Sequence, residues 1–159
     1  MKKNNVTGLF GGLLALALGV FLVLPPAAAE SYVRVENRWK PNHFVHVERG
    51  RIEAGPIEAG WHSAMWVIEP VPGVPNHVRL RNRWKGNHYI HVEKAAVQAG
   101  PIEPGWHSAM WVIEPVPGLP NFVRLRNRWK ADHYLHVETG AIQAGPILPG
   151  WHSAMWQIR

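Results

Sequence analysis

The sequence predicts an all-β chain made of three equivalent units, because two motifs recur at one fixed spacing and short alternating segments lie between them. The motif Asn-Arg-Trp-Lys occurs at 37–40, 82–85 and 127–130. The motif Gly-Trp-His-Ser-Ala-Met-Trp occurs at 60–66, 105–111 and 150–156. Both recur every 45 residues, which divides the chain into unit one (32–76), unit two (77–121) and unit three (122–159).

The first half of each unit is predicted to form two strands. In unit two, residues 78–83 alternate apolar and charged side chains, as a half-buried strand does. A turn at 85–87 follows, and residues 89–93 alternate again. This alternation places Ile90 and Val92 on the inner face and predicts that Tyr89, His91 and Glu93 point outward.

The second half of each unit is predicted to add two more strands. In unit two these lie around 97–99 and over 109–113. The proline-rich segment 115–120 is expected to be a stiff connector without strand structure. No segment has a helical period, so each unit is predicted to contain four strands.

Twelve short strands in three units leave few architectures. A propeller usually needs four or more blades. A triangular barrel with threefold pseudosymmetry accepts three units of this length, and we therefore predict a β-trefoil over residues 30–159.

Residues 1–29 differ in composition from the remainder. Lys2 and Lys3 precede an apolar run of about 17 residues, the lower limit for a membrane span, and the segment ends in Ala27-Ala28-Ala29. These are the three parts of a cleavable signal peptide, and an uncleaved anchor is the alternative. We expect a secreted or periplasmic protein, without stable membrane insertion after cleavage.

Composition excludes several kinds of site. The chain contains no cysteine, which rules out disulfides, thiolate metal sites and a cysteine nucleophile. Removing Lys2 and Lys3 with the signal lowers the formal net charge from +6 to +4. This small excess permits attraction to anionic surfaces without demonstrating it, and export argues against a nucleic-acid partner.

The order of motifs within each unit resembles the ricin B-type lectin family across residues 32–159. In unit two the resemblance is carried by Val-Arg-Leu-Arg-Asn-Arg, Tyr-Ile-His-Val-Glu, Val-Gln-Ala-Gly-Pro and Ser-Ala-Met-Trp. It implies the β-trefoil fold, glycan binding, and a core position for Trp66, Trp111 and Trp156. The family's sugar-binding aspartate aligns with His46, His91 and His136, and its stacking aromatic aligns with Gly55, Gly100 and Gly145. Polar third-strand residues remain as Glu53, Gln98 and Gln143.

The candidate binding residues lie mainly in the Gly-Trp-His-Ser loops. An aromatic ring binds the apolar face of a sugar while neighbouring polar groups bind its hydroxyls. The loop candidates are three Trp-His pairs, each followed by a serine: Trp61 and His62, Trp106 and His107, and Trp151 and His152. His46, His91, His136, Gln98 and Gln143 complete the predicted set. The alternative is that the three tryptophans seal the open end of the barrel.

Other features have structural explanations. Trp39, Trp84 and Trp129 are expected to pack against neighbouring units, with exposure and contact with a partner or a guanidinium group as the alternative. The arginines of each first strand are expected to form cross-strand pairs, with a basic band for sulfated glycans as the alternative. The histidine spacing does not suit local chelation, and a serine next to a histidine does not make a triad. We therefore predict no metal, no cofactor and no enzymatic activity.

The predicted function is that of a carbohydrate-binding module with up to three equivalent shallow sites for neutral or anionic glycans. Two alternatives remain at this point. One is a module that binds a protein partner, as trefoil protease inhibitors do. The other is an envelope scaffold without a small ligand.

Overall fold

A computed structural model describes residues 29–94 and 96–159, so nearly all of the predicted signal peptide (1–29) lies outside the described residues. Twelve strands form one antiparallel sheet. They are β1 (Val35–Asn37), β2 (Phe44–Glu48), β3 (Arg51–Gly55), β4 (Trp66–Pro70), β5 (Val78–Asn82), β6 (Tyr89–Glu93), β7 (Ala96–Gly100), β8 (Trp111–Val116), β9 (Leu119–Asn127), β10 (Tyr134–Glu138), β11 (Ala141–Gly145) and β12 (Trp156–Ile158). Three single 3-10 turns cover His62–Ala64, His107–Ala109 and His152–Ala154. This confirms the all-β class.

Six of the strands close into a barrel. Its long antiparallel pairs are β4–β5, β8–β9 and β1–β12, which we call the three junctions because each joins two units. Single bridges connect the junctions to one another: Val33 to Trp66, Val78 to Trp111, and Val123 to Trp156. The result is a ring without a free edge, which prevents edge-to-edge association.

The other six strands form three hairpins, β2–β3, β6–β7 and β10–β11. The hairpins contact one another through Ala141 with Glu53 and through Gln143 with Ala96. The described residues thus form a six-strand barrel with three contacting hairpins. This arrangement agrees with the β-trefoil predicted from the sequence.

Three tryptophans form the centre of the core. Trp66, Trp111 and Trp156 are each 0% exposed. Each indole N–H donates 2.9 Å to a hairpin carbonyl, that of Val45, Ile90 or Leu135 respectively. The buried indoles are therefore satisfied, and they tie each hairpin to the barrel. Deleting a side chain of this size from a core costs about 3–5 kcal/mol.

The structure corrects two strand boundaries in unit two. The predicted fourth strand (109–113) begins later, at Trp111, because Ala109 ends a 3-10 turn. The proline-rich segment 115–120 is not free of strand. Val116 pairs with Leu119 across a turn in which Gly118 has φ 75°, so the glycine allows two proline-flanked strands to meet.

In the equivalent connector of unit one, Pro70 ends β4 and the residues between β4 and β5 form turns. Among the described residues, no helix is long and apolar enough to cross a bilayer.

Candidate functional site

Each Gly-Trp-His-Ser motif folds into a tight loop before the core tryptophan. In unit one, the Ala64 N–H donates to the Trp61 carbonyl (3.2 Å), and the Met65 N–H donates to the His62 carbonyl (3.1 Å). Ala64 is buried and holds the turn against the barrel, while His62 is exposed. The loop therefore presents Trp61, His62 and Ser63 at the surface from a fixed backbone.

The second-strand histidines lie beneath these loop tryptophans. His46, His91 and His136 are 3–4% exposed. Their rings meet Trp61, Trp106 and Trp151 edge to face at centroid distances of 5.7, 5.6 and 5.8 Å. His91 lies on the predicted outer face of its strand, but it is buried there because the loop of the same unit covers that face of the hairpin.

Glycine at the end of the third strand makes room for each buried imidazole. A Cβ atom at Gly55 would lie 3.1 Å from His46 Cε1, and one at Gly100 would lie 3.3 Å from His91 Cε1. The histidine thus fills the space between a glycine and a tryptophan. Its position supports the loop tryptophan and leaves little of the imidazole accessible to a sugar.

The buried histidine of unit three favours its neutral form. Loss of hydration on burial lowers the pKa of His136, although the Glu138 carboxylate opposes this by raising it. A neutral ring under Trp151 avoids an uncompensated buried charge.

A buried asparagine connects each loop to the turn of the next unit. The Asn82 side chain donates to the Ser63 carbonyl (2.9 Å) and accepts from the Trp84 and Lys85 N–H groups (both 3.1 Å). Asn127 does the same with Ser108 and Trp129, and Asn37 does so with Ser153 and Trp39. We call these three residues the asparagine clamps. Sequence reasoning missed them, although an amide at an inward-facing strand position of a repeated motif was a usable signal.

Two of the clamps lie beside a shallow groove that is lined by a tryptophan from each of the two units they join. Trp61 of unit one and Trp84 of unit two line one groove, of about 320 Å³. The rest of the lining comes from Val47, Glu48, Arg49, His62 and Ser63. The groove combines two aromatic faces with imidazole, hydroxyl and charged groups.

A second groove, of about 460 Å³, repeats this arrangement between units three and one. It is lined by Trp151 of unit three and Trp39 of unit one, together with His152, Ser153, Glu138 and Thr139. In the third position, Asn127 joins Ser108, beside Trp106 and His107, to the turn of Trp129. Each loop tryptophan predicted from the sequence is thus brought together with the tryptophan that follows the first strand of the next unit.

The tryptophans in the turns after β1, β5 and β9 are not buried. Trp39, Trp84 and Trp129 are 50–54% exposed, which contradicts the expectation that they pack against neighbouring units. A lysine lies over each ring, with Nζ 4.9–5.1 Å from the centroid. This cation–π contact covers one part of each ring and leaves the remainder accessible.

The predicted third-strand residues lie on the hairpins beside the histidines. Gln98 pairs across the hairpin with His91, and Gln143 pairs with His136. Both are exposed, and Gln143 is not among the residues that line the groove of Trp151.

The arginines of the first strands make internal contacts. Arg34, Arg79 and Arg124 each donate to a carbonyl just before a Gly-Trp loop, those of Ala59, Pro104 and Pro149. Arg81 and Arg126 form ion pairs with Glu69 and Glu114 across their junctions. These contacts agree with the structural explanation and brace the loops that carry the grooves.

Solved structures of similar shape are known, although no protein family and no curated protein sequence matches this chain. An endo-β-galactosidase from Clostridium perfringens that releases GlcNAcα1-4Gal is similar at a TM-score of 0.70 and 26% identity, over 80% of this chain and 31% of that chain. SeviL, solved with an asialo-GM1 saccharide, is similar at 0.69 and 17% identity, over 82% and 97%. ThreeFoil, a designed 3-fold symmetric protein, is similar at 0.68 and 16% identity, over 80% and 96%.

The chain thus spans about a third of the galactosidase and nearly all of SeviL and ThreeFoil. These neighbours support a β-trefoil fold for this chain.

Proposed function

We propose that this chain is a carbohydrate-binding β-trefoil of three 45-residue units, related to ricin B-type lectins, whose ligands enter the grooves between units. The observation that carries the proposal is that two tryptophans from adjacent units line the same groove, Trp61 with Trp84 and Trp151 with Trp39. Sugar rings have apolar C–H faces that stack on indoles, and a groove lined by two indoles offers two such surfaces.

The polar groups of the groove suit sugar hydroxyls. His62 and Ser63 lie next to Trp61, and Glu48 reaches the same groove. Imidazole, hydroxyl and carboxylate groups together donate and accept hydrogen bonds, as a ligand with several hydroxyls requires. In this arrangement His46, His91 and His136 position the loop tryptophans, and the exposed histidines of the loops contact the ligand.

We further propose that the grooves bind without catalysis, and that up to three of them act on one rigid body. Each shallow groove binds weakly, and several on one domain raise the avidity for a surface that displays many copies of a glycan. The fold of SeviL, which was solved with a saccharide, supports the binding role. Export through the segment 1–29 is part of the same proposal, since surface glycans lie outside the cell.

A glycan array tests the proposal. The purified protein is applied to neutral and sulfated glycans at pH 7.4 and 5.5, together with two triple variants. W61A/W106A/W151A removes the tryptophans of the Gly-Trp-His-Ser loops, and W39A/W84A/W129A removes the tryptophans contributed by the following units. We expect either triple variant to lose binding, since buried tryptophan contacts at binding sites are often worth about 2 kcal/mol or more each.

The matched control is L148A, which removes another exposed large apolar side chain that lines neither of the two measured grooves. It should bind as the wild type does, and circular dichroism should show an intact fold in all variants. Loss of binding only in the first triple variant would remove Trp39, Trp84 and Trp129 from the site. Binding that survives both, or a blank array for the wild type, would refute the proposal.

A further inference from the structure

The hairpin of unit one carries three potential metal ligands on one face. His46 and Glu53 are direct partners across the β2–β3 hairpin, and Glu48 lies two residues beyond His46 on the same strand. Side chains at i and i+2 of a strand share a face. One ligand atom from each of the three residues lies within 4.8 Å of the other two.

The imidazole of His46 has the tautomer and orientation of a metal ligand. Its Nδ1 lies 3.0 Å from the Phe44 carbonyl, to which it donates its hydrogen. Nε2 then carries the lone pair, lies 3.7 Å from Glu48 Oε2 and makes no hydrogen bond to any described residue. Histidines that bind metals usually donate their other ring nitrogen to a carbonyl or carboxylate in this way.

Packing prevents this imidazole from turning away. His46 is 3% exposed, with Gly55 on one side and the edge of Trp61 on another. A ligand fixed before the ion arrives needs no ordering on binding, which favours the metal-bound state.

The two carboxylates have room to close on an ion. An open cavity of about 490 Å³ is lined by Glu48, Glu53 and two arginines, Arg49 and Arg51. Arg49 is the charged partner of Glu48, but its side chain is 92% exposed and its Nε lies 3.9 Å from the carboxylate. Exposed pairs of this kind contribute little, so an ion displaces Arg49 at small cost.

The other two units lack the third ligand. His91 and Glu93, like His136 and Glu138, repeat the first two positions, but Gln98 and Gln143 stand where unit one has Glu53. A neutral amide is a much poorer zinc ligand than a carboxylate. Within the described residues, unit one alone offers such a three-ligand set.

We propose that the unit one hairpin binds one Zn²⁺ ion through His46 Nε2 and one carboxylate oxygen each from Glu48 and Glu53, with water as the fourth ligand. Tetrahedral zinc with ligands near 2.0–2.2 Å needs ligand atoms about 3.3 Å apart. The ligand atoms now lie within 4.8 Å of one another, so the Glu48 and Glu53 carboxylates must move inward to bind the ion. The site is separate from sugar binding, apart from Glu48, which also lines the groove of Trp61.

Isothermal titration of the full, untagged chain with Zn²⁺ tests the site. We expect one ion per chain. E53Q installs the residue type of units two and three and should weaken binding by about tenfold or more, because even outer-shell changes cost 10–100-fold. Q98E should create a second site in unit two, because His91 has the orientation of His46, with Nδ1 3.1 Å from the Tyr89 carbonyl and Nε2 3.7 Å from Glu93 Oε2.

E58Q is the matched control, since Glu58 is an exposed carboxylate outside the cluster, and it should leave Zn²⁺ binding unchanged. E53Q is expected to fold, because the other two units carry glutamine at this position, and thermal unfolding checks this. Equal Zn²⁺ affinity of E53Q and the wild type would assign the binding to exposed histidines elsewhere and overturn the proposal. No Zn²⁺ binding by the wild type would overturn it as well.

Discussion

Two of the three junctions use the same ion pair, and the third uses its reverse. At β4–β5 a glutamate on the fourth strand of its unit, Glu69, pairs with Arg81 on the first strand of the next. At β8–β9 Glu114 pairs with Arg126 in the same way. At β1–β12 the charges are exchanged, because Glu36 occupies the arginine position and pairs with Arg159 in the glutamate position.

The difference shows that two departures from the repeat form one compensated pair. Glu36 and Arg159 lie far apart in the sequence, and each by itself looks like the loss of a repeated charge. Across the junction they restore the attraction that the other two units have. The exchange also gives the carboxylate a turn partner, since Glu36 has a 7% exposed side chain and accepts from the Asn42 N–H at 2.7 Å.

The largest effect is expected from breaking the reversed pair. E36R places a second guanidinium against Arg159 and removes the acceptor of the Asn42 N–H. Breaking a buried pair costs about 3–5 kcal/mol of folding stability. Because Arg159 is half-exposed, we expect E36R to lower the free energy of unfolding by about 3 kcal/mol. Urea unfolding followed by tryptophan fluorescence measures it. A loss under about 1 kcal/mol would mean that the pair does not hold this junction.

Exchanging both charges should recover part of that loss. E36R/R159E gives the third junction the glutamate–arginine arrangement of the other two. Contacting residues couple by about 0.5–3 kcal/mol, so the double variant should be more stable than E36R by an amount within this range. Recovery is incomplete because the Asn42 N–H still lacks its acceptor. The double-mutant cycle, completed by R159E, reports the coupling, and additive losses would contradict the comparison.

The smallest effect concerns a second carboxylate at the β4–β5 junction. Glu30 accepts from the Tyr32 hydroxyl at 2.8 Å and also pairs with Arg81. These two hydrogen bonds, the first larger than the second, lower the pKa of Glu30 from its ordinary value of 4.5. The folded chain therefore holds this proton less tightly, and the resulting stability is present above pH 4.5 and lost as the pH falls through the lower, folded pKa.

E30Q should accordingly be slightly less stable than the wild type at pH 7 and equal to it at strongly acidic pH. Thermal unfolding at a series of pH values measures the difference. A difference that persists at strongly acidic pH would show that the carboxylate's charge is not its cause.

Much of the fold could be predicted from the sequence because its signals are local and repeated. Alternation along residues 89–93 and a 45-residue period are readable without any contact information. The turn at Gly118 was harder to predict, because prolines on both sides argue against strands. Only the pairing of Val116 with Leu119 shows that they meet.

The site was less predictable because it lies between units. A repeat reveals which residues are equivalent, but it does not reveal which equivalent copies face each other. Trp61 was identified as a loop residue, whereas its partner across the groove, Trp84, belongs to the next unit. His91 was assigned to the outer face correctly by period, yet that face is covered by the loop of Trp106, which alternation along one strand cannot register.

The asparagine clamps have an entropic consequence for recognition. Each clamp ties both walls of a groove to one buried amide through the main chain, so the walls are ordered before a ligand arrives. Immobilising a flexible side chain on binding costs about 0.5–1.5 kcal/mol, and a groove that is already ordered avoids this cost. The entropy lost on association is then mainly that of the ligand. A rigid ring should gain more from such a groove than a flexible chain of the same composition. Loosening a clamp should weaken recognition without removing any atom that touches the ligand.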